Sequence, residues 1–250
     1  MPEASQHRDV VIVGGGVAGL SAAIFTARAE LDTLVINHGA SIVKRNAHLE
    51  NYPGFPAGVN PRLLIDMMAD QVDRNGGDRR DAKVEAIEAE GDGFRIETSE
   101  GTVSAGNVIA ATKSSPAYLE DLDVDLRDSG SKTYVAIDDD GRTAVDGLYA
   151  AGRLAEEYHQ TIVSAGHGAK VAITLVEDVD PAFYHDWVAP EGYFTLRDRE
   201  VPKGCEEIPK EERNRREHES VQVMQEYFAK PRDAPPDKHP SLEDEDGFDP

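Results

Sequence analysis

Asp9-Val-Val-Ile-Val13-Gly14-Gly-Gly16-Val-Ala-Gly19-Leu-Ser-Ala-Ala-Ile-Phe25 is the stretch from which the fold is read. The β-branched run Val10 to Val13 predicts a buried parallel strand, which runs straight into a glycine turn and then a helix over 17–29. Each glycine has a separate task. Gly14 permits a sharp turn, Gly16 lets a pyrophosphate approach the backbone, and Gly19 lets the helix pack close to the strand. The helix start, at Val17 and Ala18, then offers free N–H groups and a positive dipole end to an anion. A second strand at 33–37 completes a βαβ unit, and the whole predicts a dinucleotide site. That strand ends on Asn37, where such sites usually carry an acid on the adenosine ribose. Asn37 is expected to bond a ribose hydroxyl or simply to cap the strand.

Composition bounds what else the chain can be. At 250 residues it can bury one sizeable core, or one core plus an appendage. Its 48 acidic and 26 basic residues give a formal net charge of -22, unfavourable for nucleic acid or an anionic membrane. This carboxylate-rich balance resembles that of proteins from halophilic, archaeal-like cells that keep molar salt in the cytoplasm, where self-repulsion is screened. No apolar run is long enough to span a membrane and the N-terminus lacks a signal-peptide pattern, so a cytoplasmic location is expected. Cys205 is the single cysteine, which excludes an intrachain disulfide and a C-x-x-C pair. Glu206 and Glu207 beside it are expected to raise its pKa and leave an inert thiol. His159, His167, His185 and His218 lack metal-ligand spacing, so no metal site is expected. No Gly-x-Ser-x-Gly elbow supports a serine hydrolase.

Further along, Glu50-Asn51-Tyr-Pro-Gly-Phe-Pro56 forms a Pro/Gly-rich loop before a helix over 62–74. Taken with the opening Gly14-Gly-Gly16-Val-Ala-Gly19-Leu-Ser-Ala-Ala23, it resembles the FAD domain of thioredoxin reductase-like flavoproteins. The resemblance covers residues 8–177. It implies an α/β, Rossmann-like fold, a parallel sheet flanked by helices with a small antiparallel layer from strands at 83–89 and 93–99. FAD is the implied cofactor, and Asn51 takes the role of the asparagine that contacts it. The strand over 102–112 matches one ending Ala-Thr-Gly beside the cofactor, which points to Thr112, with Lys113 in place of the glycine. The strand ending Gly152-Arg153 matches one ending Gly-Asp, whose aspartate lies on the ribityl chain; here Arg153 stands instead. A helix over 161–177 is then implied to aim the backbone N–H groups of Thr161 and Ile162 at the flavin, with Gln160 alongside.

The largest departure lies between about 113 and 134, where the family carries an NADPH domain with its own glycine fingerprint and a C-x-x-C pair. This chain has a short polar, acidic connection there. The resemblance therefore implies an FAD-binding oxidoreductase without its own nicotinamide domain or dithiol, supplied by a separate reductase, a ferredoxin-like carrier or diffusing NAD(P)H. No catalytic acid or base is assigned. Lys113, Arg153 and Asn37, three departures at cofactor-facing positions, also motivate a non-catalytic scaffold that kept the fold. Lys44 and Arg45, with no acid at Asn37, motivate an NADP-type preference. A C-terminal extension follows: an aromatic arm and charged helix over 178–229, expected to serve a homodimer interface, and an acidic tail over 230–250, expected to be disordered.

Overall fold

The computed structural model describes residues 6–113, 115–130 and 132–242, which fall into two compact units. The first takes the chain to Leu175 and regains it at Pro235; the second is Val176–Ala234.

In chain order the first unit comprises β1 (Gln6–Val13), α1 (Val17–Arg28), β2 (Thr33–Asn37), α2 (Pro61–Arg74), β3 (Asp78–Asp81), β4 (Val84–Glu90), β5 (Gly93–Thr98), β6 (Gly101–Ala110), β7 (Leu126–Ser129), β8 (Lys132–Val135), β9 (Leu148–Ala150) and, as far as Leu175, α3 (Thr161–Val179). A seven-stranded sheet runs β3-β2-β1-β6-β5-β4, and β9 also pairs with β6. Strand β6 is the junction. Along one edge it pairs with β1 in parallel; along the other its first half pairs antiparallel with β5 and its last three residues pair in parallel with β9. The antiparallel layer is thus continuous with the parallel sheet. Seven of its strands share one hydrogen-bonded network because β6 is long enough to serve two neighbours on one edge.

Alternation along β1 assigns its side chains to two cores. Val10 and Ile12 face a cluster with Leu20 and Ala23 of α1, Leu64 and Met68 of α2 and Val171 and Leu175 of α3. Val11 and Val13 face another with Ile87 and Ile96 of the antiparallel strands, Leu119 and Leu154. A strand buried on both faces reads as an unbroken apolar run, which is why Val10 to Val13 carries no alternation in sequence. The connection after β6 is not merely polar: a 3-10 turn at Ala117–Leu119 buries Tyr118 and Leu119, and Leu122 follows them into the second cluster.

Strand β3, Asp78-Arg-Arg-Asp81, has no apolar pattern to announce it. Its position rests on Arg8, a buried residue of β1 whose guanidinium bridges Asp32 (2.6 Å) and Asp78 (2.7 Å). Residues 235–242 belong with the first unit, where the Asp237 N–H donates to the Lys44 carbonyl (3.1 Å) and a 3-10 turn spans Pro240–Leu242. Of the tail over 230–250, residues 243–250 lie outside the described residues.

The second unit holds β10 (Trp187–Pro190) and β11 (Cys205–Ile208), paired in parallel, and α4 (Lys210–Tyr227). Trp187 meets Tyr193 and Phe194 edge-on, with centroids 4.5 and 5.6 Å away. Glu207 accepts N–H bonds from Gly192, Phe194 and Thr195, so one carboxylate gathers the 191–195 turn. Helix α4 buries no residue; Arg216 fixes it to β11 through a bidentate pair with Glu206 (2.7 and 3.0 Å).

Candidate functional site

The parallel strands end in register. Gly14 N–H donates to Ile36 O (2.8 Å), Ala111 N–H to Val13 O (2.8 Å) and Ala151 N–H to Ala110 O (2.9 Å), so the carboxyl ends of β2, β1, β6 and β9 lie side by side. The chain winds outward from β1 to β2 and β3 on one side and to β6 and β9 on the other. Ligands of open α/β sheets bind at such a reversal. A cavity of about 860 Å³ opens there, within the usual range for small-molecule sites.

The glycine turn forms its floor. Gly14 sits at φ +120°, where L side chains are strained, and an added Cβ would lie 2.5 Å from the Ala111 carbonyl oxygen. A Cβ at Gly19 would overlap the Gly14 carbonyl oxygen, which is the close strand–helix packing expected of that position. Gly16 is different. A Cβ there would meet only Ser41 Oγ, at 3.6 Å, so no protein atom demands glycine; the space it leaves belongs to the cavity. Gly16 also caps α1 without a side-chain bond, and the first turn holds no acid, so its N–H groups and dipole remain available for an anion.

Asn37 lines the cavity, yet its amide has structural work: Oδ1 accepts the Gly15 N–H (2.9 Å) and Nδ2 donates to Gly39 O (3.1 Å). Across the cavity Asn51 Nδ2 donates to Gln160 Oε1 (2.8 Å), tying the Pro/Gly loop to the start of α3. Thr112 shares a hydrogen bond with Tyr118 (3.1 Å), whose phenol is driven up from its ordinary pKa by burial. Gly14, Gly16, Val17, Ala18, Asn37, Asn51, Thr112, Arg153, Gln160 and Thr161 all reach the cavity wall. Gly19, Gly152 and Ile162 do not: Gly19 packs helix on strand, Ile162 is exposed, and Gly152 donates its N–H to His167 Nδ1 (2.9 Å). That bond requires a neutral imidazole, and burial holds the His167 pKa below its ordinary value.

Sequence reading missed the buried Arg62. From α2 its guanidinium donates to the carbonyls of Lys44 (3.0 Å), Asn46 (3.0 Å) and Ala47 (3.4 Å), holding the wall segment after β2. Only its place at the helix start, Pro61-Arg62 after the N-cap Asn60, could have hinted at this. Lys113 and His159 also line the cavity, and the Lys113 pKa is pulled down by burial and then by Arg45 and Arg153. Among the described residues no cluster of His, Cys, Asp or Glu suits a metal ion, and no helix is long and apolar enough to cross a membrane.

Fold and site together define a dinucleotide-binding α/β protein of the Rossmann type. Comparison narrows the class: residues 9–49 match a family described as FAD binding domain. Over 116 residues the chain is 36% identical to the bifunctional thioredoxin reductase/thioredoxin of Mycobacterium leprae, covering 45% of this chain and 25% of that one. Over 114 residues it is 36% identical to a thioredoxin reductase of Mycolicibacterium smegmatis, covering 44% and 36%. The chain spans about a third or less of the length of these relatives. Among solved structures, a thioredoxin reductase of Streptococcus pyogenes superposes with TM-score 0.65 at 15% identity, covering 71% of this chain and 100% of that one. One of Gloeobacter violaceus gives 0.62 at 19%, covering 71% and 97%. The fold is therefore that of thioredoxin reductase-like FAD-binding oxidoreductases, and FAD is the cofactor to which the matches point. The open space at Gly16 and the two helix starts on one cavity fit such a group.

Proposed function

We propose that the chain works as a flavoprotein oxidoreductase that receives its electrons from outside. The observation that carries this reading is the cavity in which the uncapped start of α1 at Gly16 and the start of α3 at Gln160 and Thr161 meet across the ends of β1 and β6. The α1 N–H groups would hold a pyrophosphate. The start of α3 favours negative charge on the group it faces. Asn51, braced by Gln160, would orient the same group. When bound, the flavin supplies the redox chemistry, and the protein supplies position and electrostatics. The segment between β6 and β8 is too short for a nicotinamide-binding βαβ unit, which takes ~30 residues. Cys205 has no second thiol to resolve a mixed disulfide. A separate reductase, a ferredoxin-like carrier or diffusing NAD(P)H must then deliver the electrons. A homodimer, a cytoplasmic location and adaptation to molar salt complete the proposal, the last on the net charge of -22.

The absorption spectrum of protein purified in high salt tests it. Flavin bands with a stoichiometric cofactor are expected. A colourless protein that takes up no added FAD would favour a scaffold that kept the fold, and selective uptake of NADP would favour the altered-preference site. Sedimentation in high salt tests the dimer, which a monomer at micromolar concentration would end.

A further inference from the structure

We propose that Lys113 and Arg153 form an anion subsite in this cavity, distinct from the glycine turn, which takes the carboxylate or phosphate of a separate small molecule. Its distinctness from a pyrophosphate at Gly16 rests on the FAD reading above; the subsite itself rests on the side chains.

The register of two neighbouring strands creates it. Ala110 of β6 lies opposite Ala150 of β9, and Lys113 and Arg153, each three residues past that pair, both line the cavity. Neighbouring strands lie ~4.8 Å apart. The glycine turn leaves from β1, so these two cations leave from one and two strands away from it. Among the described residues neither has an ion-pair partner, in a chain with 48 acidic residues to 26 basic ones. The Arg153 Nε is buried and meets no hydrogen-bond partner, a costly state for a guanidinium. Arg45 adds to the positive field at Lys113, and Arg153 to that at His159. The two cations repel one another, and an oxyanion relieves that repulsion while supplying acceptors for the Arg153 guanidinium and the Lys113 ammonium. Asp237 is the carboxylate acting on Lys113, held nearby by its own N–H to Lys44 O (3.1 Å). It would compete for the same cation.

The test is calorimetric titration of the FAD-loaded full chain with inorganic phosphate, at ionic strength fixed with potassium chloride. Saturable binding with retention of FAD is expected. Lys113→Gln and Arg153→Gln should each weaken it about tenfold, the loss of one charge-assisted contact. Asp237→Asn should tighten it, a gain that misfolding cannot imitate. Absence of saturable phosphate binding would overturn the subsite, as would displacement of FAD by phosphate, which would assign the two cations to the cofactor's own phosphates. If the chain takes up no FAD, the titration is run on the purified protein as it stands. Phosphate binding sensitive to both substitutions would then keep the subsite and reject only the flavin reading.

Discussion

The two compact units are held by different physics. In the first, β1 is buried on both faces and two apolar clusters flank the sheet. In the second, α4 buries nothing, and order comes from Glu207 under a turn, Arg216 against Glu206 and Glu212, and a small aromatic group around Trp187. Apolar burial is non-directional and nearly independent of pH and ionic strength, whereas carboxylate bonds and ion pairs depend on both. The first unit can therefore present a fixed cavity, and the second should respond to its medium. Trp187, the chain's one tryptophan, lies in the second unit and reports on it separately.

The sharpest break of the comparison is Gly19→Val. Its side chain overlaps the Gly14 carbonyl, and overpacking against backbone should cost about 3 kcal/mol or more. Thermal unfolding followed by far-UV circular dichroism should show that loss together with loss of FAD uptake, while Trp187 emission before the transition stays unchanged. Equal perturbation of the Trp187 signal would mean that the two units do not fold independently. The converse substitution is Glu207→Gln, which removes the charge that accepts three backbone N–H bonds. A red-shifted Trp187 emission is expected, with FAD uptake retained.

Acid titration should separate the units by pH. Those N–H bonds hold the Glu207 carboxyl down at about 2 against an ordinary value of 4.5, although burial opposes them. A depressed carboxylate pKa stabilises the fold above the unfolded value, so this contribution is lost as pH falls from about 4.5 toward about 2. His167 acts earlier. Burial lowers its pKa from 6.5, so the unfolded chain takes up the proton more readily and stability declines as pH falls below 6.5. Urea melts between pH 7 and 5 should show a slope that His167→Gln flattens, because the glutamine amide oxygen accepts the Gly152 N–H without titrating.

A smaller effect is expected from salt. At net charge -22, diluting from 1 M to 0.1 M lengthens the screening distance from ~3 to ~10 Å, so self-repulsion should lower the melting temperature. Flat melting curves over that range would remove the argument for salt adaptation. The smallest effect belongs to Cys205→Ser. The thiol donates to His185 O (3.4 Å), and its pKa is raised by burial and then by Asp186. The sequence neighbours Glu206 and Glu207 are not the cause; they are engaged by Arg216 and by the 191–195 turn. NAD(P)H oxidation by the purified chain should be slow and unchanged by the substitution, and rapid thioredoxin reduction that the substitution abolishes would contradict the external-donor proposal.

By itself the sequence determined the elements whose signals are local. Val10 to Val13, the glycine turn, α1, β2, α2 and α3 follow from apolar runs, periodicity and turn chemistry, each complete within a few neighbouring residues. Strand β3 was not legible, because four polar residues become a strand only when Arg8, seventy positions earlier, holds Asp78 beside β2. The same limit applies to Asn37, whose amide proves to hold the Gly15 N–H, and to Arg62, whose three carbonyl partners precede it by 15 to 18 residues. The placing of Lys113 and Arg153 on one cavity was likewise beyond sequence reading. Each could be singled out as a departure from a family pattern, but their place on one cavity follows from the pairing of β6 with β9, whose partners Ala110 and Ala150 are far apart in sequence.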